Sequence, residues 1–291
     1  MENRRSKGEK IFEVANLILL LFLCIICIYP MLYVLFASLS DSTSLLSHTG
    51  LLLKPIGFST LAYEVVFNTP LIITGYKNTL FILIVGLAVN LFMTSLGAYF
   101  LSRKDVLWKN TVMMLILLTM YFSGGLIPFY LNVRDLGLNN SLLAVILPFA
   151  VNTFNLIIMR TSFANIPDSL EESATLDGAN DYQILFRIIL PLSMPVVAVM
   201  VLYYGVAHWN AWFYAMIFIN KSELLPLQVI LREILIQNET AGMGGDVGGV
   251  VNIGETIKYA TIIVATVPIL VIYPFLQRYF VSGIMIGAVK G

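Results

Sequence analysis

Apolar residues make up 58% of this 291-residue chain and charged residues only 12%, about half the roughly 25% of an ordinary soluble domain. The mean hydropathy of +0.87 agrees: the chain lacks the charge to cover a water-facing surface, so lipid is the solvent its composition expects. Zero net charge leaves no basic field for nucleic acid, and Cys24 and Cys27, the two cysteines, share one apolar run and exclude a disulfide framework.

A helix needs about 20 mostly apolar residues to cross ~30 Å of hydrocarbon. Six stretches qualify: Val14–Ala37, Asn78–Leu101, Thr111–Leu131, Ser141–Met159, Leu192–Ile219 and Tyr259–Phe280. They are continuously apolar rather than alternating, which excludes barrel strands. The expected fold is an all-α membrane protein of six transmembrane helices, with an N-terminal segment 1–13, a membrane domain 14–280 and a tail 281–291. The first stretch follows Arg4, Arg5, Lys7 and Lys10, and Ser38-Leu39-Ser40 weakly resembles a cleavage site. Its apolar run is too long for a signal-peptide core, so it reads as an uncleaved anchor.

Lys and Arg orient the chain. With the N-terminus inside, the inner segments hold Arg4, Arg5, Lys7, Lys10, Arg103, Lys104, Lys109, Arg160, Arg187, Arg278 and Lys290. The outer ones hold Lys54, Lys77, Arg134, Lys221, Arg232 and Lys258. The excess places both termini and the polar stretch 160–191 in the cytoplasm. Two outer loops are long, 39–77 and 220–258, and the second carries the glycine-rich run 242–249. That run lacks the Lys-Ser/Thr ending of a phosphate cradle and reads as a mobile loop.

The stretch 160–191 has the pattern of a helix, a sharp turn and a second helix. Asp168 is placed to cap the first helix, with Glu171 three residues on as in a capping box. Gly178 stands where a left-handed C-terminal cap is wanted. Asp181 is placed to cap a second helix with an apolar face of Ile184, Leu185, Ile188 and Ile189, and Pro191 re-aims the chain into the fifth span. Physically this describes a short surface helix pair between membrane helices.

The same residues resemble the cytoplasmic loop of ABC-importer permeases, whose pattern is Glu-Ala-Ala, three residues, Gly, nine residues, Ile, one residue, Leu-Pro. Glu172, Ala174, Gly178, Ile188, Leu190 and Pro191 fall at those spacings, and Ser173 replaces the middle Ala. Leu176-Asp177-Gly178-Ala179 looks like the sugar-importer branch. The six-span plan and the ending Gly287-Ala288-Val289-Lys290-Gly291 are similar to the second permease of maltose-type importers. Phe122-Ser123-Gly124-Gly125-Leu126-Ile127-Pro128 and His208-Trp209-Asn210-Ala211-Trp212 look closer to a lipoprotein-permease-like subgroup associated with oligosaccharide or polysaccharide uptake.

The resemblance implies a type I importer permease fold in which Glu171, Glu172, Ser173, Ala174, Asp177, Gly178, Ala179, Ile188, Leu190 and Pro191 form a coupling element docked on a cytoplasmic ATPase dimer. It implies a heterodimer with a second permease and an extracytoplasmic substrate-binding protein that delivers the sugar. It also implies rocking of the helices around a midplane site. This chain contains no ATP-binding motif, so ATP and Mg belong to the partner ATPase, and no cofactor is expected on this chain.

Polar and aromatic residues inside the spans are the candidate sugar contacts. Tyr204, His208 and Trp212 follow at i, i+4 and i+8 and are expected on one helix face. Asn152 and Asn155 pair likewise in the fourth span and Asn90 and Thr94 in the second, and Trp209 completes the set. Hydroxyl-bonding amides and stacking rings suit a sugar. The same residue types also serve as interhelical hydrogen-bonding groups and as an interfacial aromatic belt, so both uses stand. Cys24 and Cys27 lack a second ligand pair and read as small apolar side chains. A membrane enzyme would need a convergent catalytic set, and a proton-coupled carrier would need intramembrane acids; the spans supply neither. An importer for a solute other than sugar remains the alternative.

Overall fold

The computed structural model describes residues 7–243, 256–271 and 274. Among them the fold is helical, with one isolated antiparallel bridge between Ser40 and Phe58. The chain falls into two compact units, Met1–Thr69 with Glu233–Val267 and Pro70–Arg232 with Pro268–Gly291.

In the first unit, α1 (Lys7–Ser38) contains the expected first span without interruption. Most of its apolar side chains from Ile11 to Leu35 are exposed, as a helix with lipid or a partner for solvent requires. The expected outer loop after it is partly helical. Asp41 caps α2 (Ser42–Leu46) by accepting from the Ser44 N–H at 3.0 Å, and α3 (Leu61–Asn68) follows. Ala37, Leu45 and Leu52 form a small core closed by Tyr33 and Tyr259.

The second unit is organised on α4 (Pro70–Ser102). It starts two turns before the expected second span. Gly75, Thr79, Ile82, Gly86, Asn90 and Thr94 are all buried at helical spacing, which makes one continuous stripe along the axis. The small residues in it let neighbouring backbones approach. At Gly86 an added Cβ would stand 2.5 Å from His208 Nε2. Helices α7 (Thr153–Ala164) and α11 (Met194–Trp209) pack against α4.

Three expected spans are broken. The third divides into α5 (Lys109–Tyr121) and α6 (Leu126–Asp135), bent by 117°, because Phe122-Ser123-Gly124-Gly125 interrupts the helix and Gly125 takes φ +84°. The fourth begins as 3₁₀ turns over Leu142–Phe149 and meets α7 at 48°. The fifth stops at Asn210 and resumes as α12 (Phe213–Phe218). Among the described residues two helices, α1 and α4, are long and apolar enough to cross a membrane, and up to five if each bent pair is one span. The outer stretch 220–258, expected to be loop, contains α13 (Leu227–Met243). Most of the glycine-rich run and the second half of the sixth expected span lie outside the described residues; Thr256–Val271 is helical and is labelled α14.

Candidate functional site

The loop expected to couple is a two-helix element. Helix α8 (Asp168–Leu176) ends in a paired closure: Ala179 N–H donates to Ala174 O at 2.9 Å and Gly178 N–H to Thr175 O at 3.0 Å, the Schellman arrangement. Gly178 has φ +83° and open space around its missing Cβ, so backbone conformation rather than crowding demands glycine there. Helix α9 (Asp181–Ile184) continues through a π-helical turn, Leu185–Ile189, into α10 (Leu190–Leu192). In that turn Leu190 N–H donates to Leu185 O; Pro191 has no N–H to give, and the wider register absorbs the loss.

Three local expectations are corrected. Pro167, not Asp168, occupies the N-cap of α8, and no side chain bonds there; Asp168 lies inside the first turn, where a negative charge still suits the helix dipole. Asn180, not Asp181, caps α9. Its Oδ1 accepts from Gln183 N–H at 2.9 Å, and Gln183 Oε1 accepts from Asn180 N–H at 3.0 Å. The spacing Asn-x-x-Gln is the capping-box signal that identifies it. The chain turns at Ser193, where the loop helix meets α11 at 87°, two residues beyond Pro191.

An ionic clasp, not anticipated from the sequence, holds this element to the end of α4. Arg103 Nη1 lies 2.7 Å from Glu171 Oε2 and donates to Tyr99 Oη at 2.6 Å. Lys104 pairs with Asp168, and Arg160 Nε donates to Leu101 O at 3.2 Å. Burial pushes the Glu171 carboxyl above its ordinary pKa even though Arg103 pulls the other way. The hydrogen bond to Asp168 raises the exposed Lys104 ammonium. Beneath the clasp, Ala174, Ile184, Leu185 and Ile189 are buried with Tyr99, Leu156 and Met159 in one core, and Ala179, Ile188 and Leu190 pack against it. Glu172, Ser173, Leu176, Asp177, Gly178 and Pro191 are exposed. The element thus has a buried base and a free outer face.

The second candidate region is a cavity of about 800 Å³. Of the proposed contact residues, Asn152, Asn155, Tyr204, His208 and Trp212 line it, along with Phe149, Tyr203 and Tyr214. Asn90 and Trp209 do not. Asn90 Nδ2 instead donates to Phe149 O at 2.7 Å and Ala150 O at 3.0 Å, and its Oδ1 lies 2.6 Å from His208 Nε2. Trp209 is buried near Tyr76. Tyr204 Oη bonds Thr94 Oγ1 at 2.8 Å and accepts from Asn152 N–H at 3.0 Å. Asn152 Oδ1 caps α7 by accepting from Asn155 N–H at 3.1 Å.

These contacts close the kink between the 3₁₀ turns and α7, whose carbonyls would otherwise be orphaned in a dry interior. Trp212 is not on the helix of Tyr204 and His208, because α11 ends before it. Its indole is partly exposed to the cavity, and the buried Asn155 carboxamide bonds to no described side chain or backbone group.

The model of the binding-protein-dependent transport system inner membrane component family matches residues 106–286, a range that includes both the clasped loop and the cavity. The chain belongs to this family. It is the permease component of an ABC import system, as the loop pattern implied. It is 43% identical over 287 residues to the polygalacturonan/rhamnogalacturonan transport system permease protein YtcP of Bacillus subtilis (strain 168), covering 97% of this chain and 99% of that one. It is 41% identical to protein LplC of the same organism, covering 98% and 97%. Among solved structures, a subunit of a bacterial ABC transporter involved in the import of the acidic polysaccharide alginate superposes with a TM-score of 0.86 at 33% identity, over 95% of this chain and 99% of that one.

Proposed function

We propose that this permease forms one half of the membrane pathway of an ATP-driven importer for an oligosaccharide or a polysaccharide fragment. A second permease subunit supplies the other half. A cytoplasmic ATPase dimer docks on the outer face of α8, and an extracytoplasmic binding protein presents the sugar. The chain crosses the cell membrane six times with both termini in the cytoplasm, as the Lys/Arg bias argues. The observation that carries this reading is the two-helix loop. Its buried residues are locked to α4 and α7, and its motif residues Glu172, Ser173 and Asp177 stand free at the surface. An element so built passes a push from outside the bilayer directly into α4 and into α7, which carries part of the cavity wall. The substrate class is supported by the named cargo of the relatives and by a cavity lined with rings and a free carboxamide.

The test is purification of the chain from its host membrane, followed by reconstitution of the co-purifying assembly into vesicles. An ATPase and a second permease are expected to co-purify, and radiolabelled oligosaccharide to accumulate only with ATP and the binding protein present. Purification without an ATPase, or accumulation independent of ATP, would sink the proposal.

A further inference from the structure

Helix α13 enters the second unit over Leu227–Arg232, and its last residue there is a cation beside the cavity. The Arg232 guanidinium carbon lies 4.4 Å from the centroid of the Trp212 ring. Its Nη1 also lies 3.1 Å from Met216 Sδ, a weak acceptor. Among the described residues no carboxylate pairs with Arg232. The cavity lining contains no Asp, Glu, Lys or Arg, and Arg232 stands one side chain behind it, on Trp212.

We propose that Trp212, Arg232 and Asn155 form a subsite for an anionic sugar, one whose ring carries a carboxylate. This deepens, and rests on, the carbohydrate reading above. A sugar ring can lie against the exposed part of the Trp212 indole. The guanidinium is planar and held over the indole, so its fork loses less freedom on binding a carboxylate than a free side chain would. Asn155 offers both a donor and an acceptor to ring hydroxyls. A neutral sugar would use the ring and the amide but would leave the guanidinium with only the indole and the weakly accepting Met216 sulfur. An acidic sugar gains there, and a cationic solute is repelled.

The test compares uptake of a galacturonate trisaccharide with uptake of its methyl ester, which has the same shape without the charge. The complete reconstituted importer is used. The native assembly is expected to import the acid in preference to the ester. Arg232→Gln should lower uptake of the acid about tenfold, the value of a lost charge-assisted bond, and leave the ester within about twofold. Arg232→Lys should retain most of the preference, since it keeps the charge. If Arg232→Gln leaves uptake of the acid unchanged, or lowers acid and ester equally, the residue only supports Trp212 and the subsite is overturned. Native import of the ester but not the acid would overturn the subsite and keep the carbohydrate reading. Import of neither probe, nor of any neutral oligosaccharide tried beside them, would overturn that reading and the subsite with it.

Discussion

Polar residues around the Ser102 end of α4 and around its middle are used in opposite ways. At the Ser102 end, the motif residues Glu172, Ser173 and Asp177 are left at the surface, while a separate set, Arg103, Glu171 and Tyr99, ties the loop down. In the middle of the same helix, Asn90 and Thr94 are consumed internally, bracing the start of α7 and the side chains of His208 and Tyr204. A protein surface bathed in water can leave recognition groups free at little cost. A helix kink inside an apolar layer cannot leave its carbonyls unpaired, so nearby amides go to the backbone first. The residues left for a ligand are those beyond that bracing, Asn155 and Trp212.

The largest effect expected from breaking this contrast is at the loop. Gly178→Val forces a β-branched residue into φ +83°, a strain of about 1–3 kcal/mol. A Cβ meets nothing there, so the six apolar stretches should insert normally. Immunoblots of membranes should show ordinary abundance, whereas ATPase co-purification and uptake should both be lost. Gly178→Asn, which tolerates the left-handed region, should keep a substantial part of each. Retention of both by the valine variant would remove the loop as the coupling element.

The next effect belongs to the brace. Asn90→Leu strips the Phe149 and Ala150 carbonyls and the His208 ring of their partner. The loss is about 2–4 kcal/mol, read as a lower melting temperature in detergent and less folded protein. A variant of unchanged stability but altered sugar selectivity would show instead that Asn90 contacts cargo, and the contrast drawn above would fail.

Arg103→Ala should be milder. It leaves the mostly buried Glu171 without its cation and frees the Tyr99 hydroxyl, at about 1–3 kcal/mol. Hydrogen exchange should rise over residues 168–184 before it rises over the middle of α4. Uniform protection in the two segments would mean that the clasp contributes nothing to holding the loop.

The smallest effect sharpens the electrostatics. Because burial raises the Glu171 pKa, the folded protein binds that proton more tightly than the unfolded chain does. Its contribution to stability is therefore present at low pH and is lost as pH rises from the ordinary carboxylate value through the raised one. Glu171→Gln mimics the protonated form, so it should match the native melting temperature at acidic pH and equal or exceed it at neutral pH, with the difference growing through that window. A variant that becomes relatively less stable as pH rises would show that the attraction of Arg103 outweighs burial.

Some of this was legible in the order of the amino acids. Runs such as Val14–Ala37 are apolar over the length a bilayer demands, and the interval from Glu172 through Gly178 to Leu190-Pro191 carries both a turn chemistry and a family spacing. Composition and local backbone preference act within a few residues, so the helical class, the first two spans, the glycine turn and the buried face at Ile184, Leu185 and Ile189 followed from them. The capping box at Asn180 was equally local and equally readable.

What depends on side chains far apart in sequence was decided by the tertiary structure alone. Arg103 and Glu171 meet because α8 folds back on α4. Asn90 turns from candidate sugar contact to brace because the break before α7 exposes two carbonyls beside it. Trp212 leaves the face of Tyr204 and His208 because α11 ends at Trp209, and Arg232, read as part of an outer loop, arrives over Trp212 on a helix. Hydropathy measures how much a segment prefers lipid, but it carries no term for where a helix bends or which polar group meets which. Those are settled by the requirement that every buried donor and acceptor find a partner once the helices have packed.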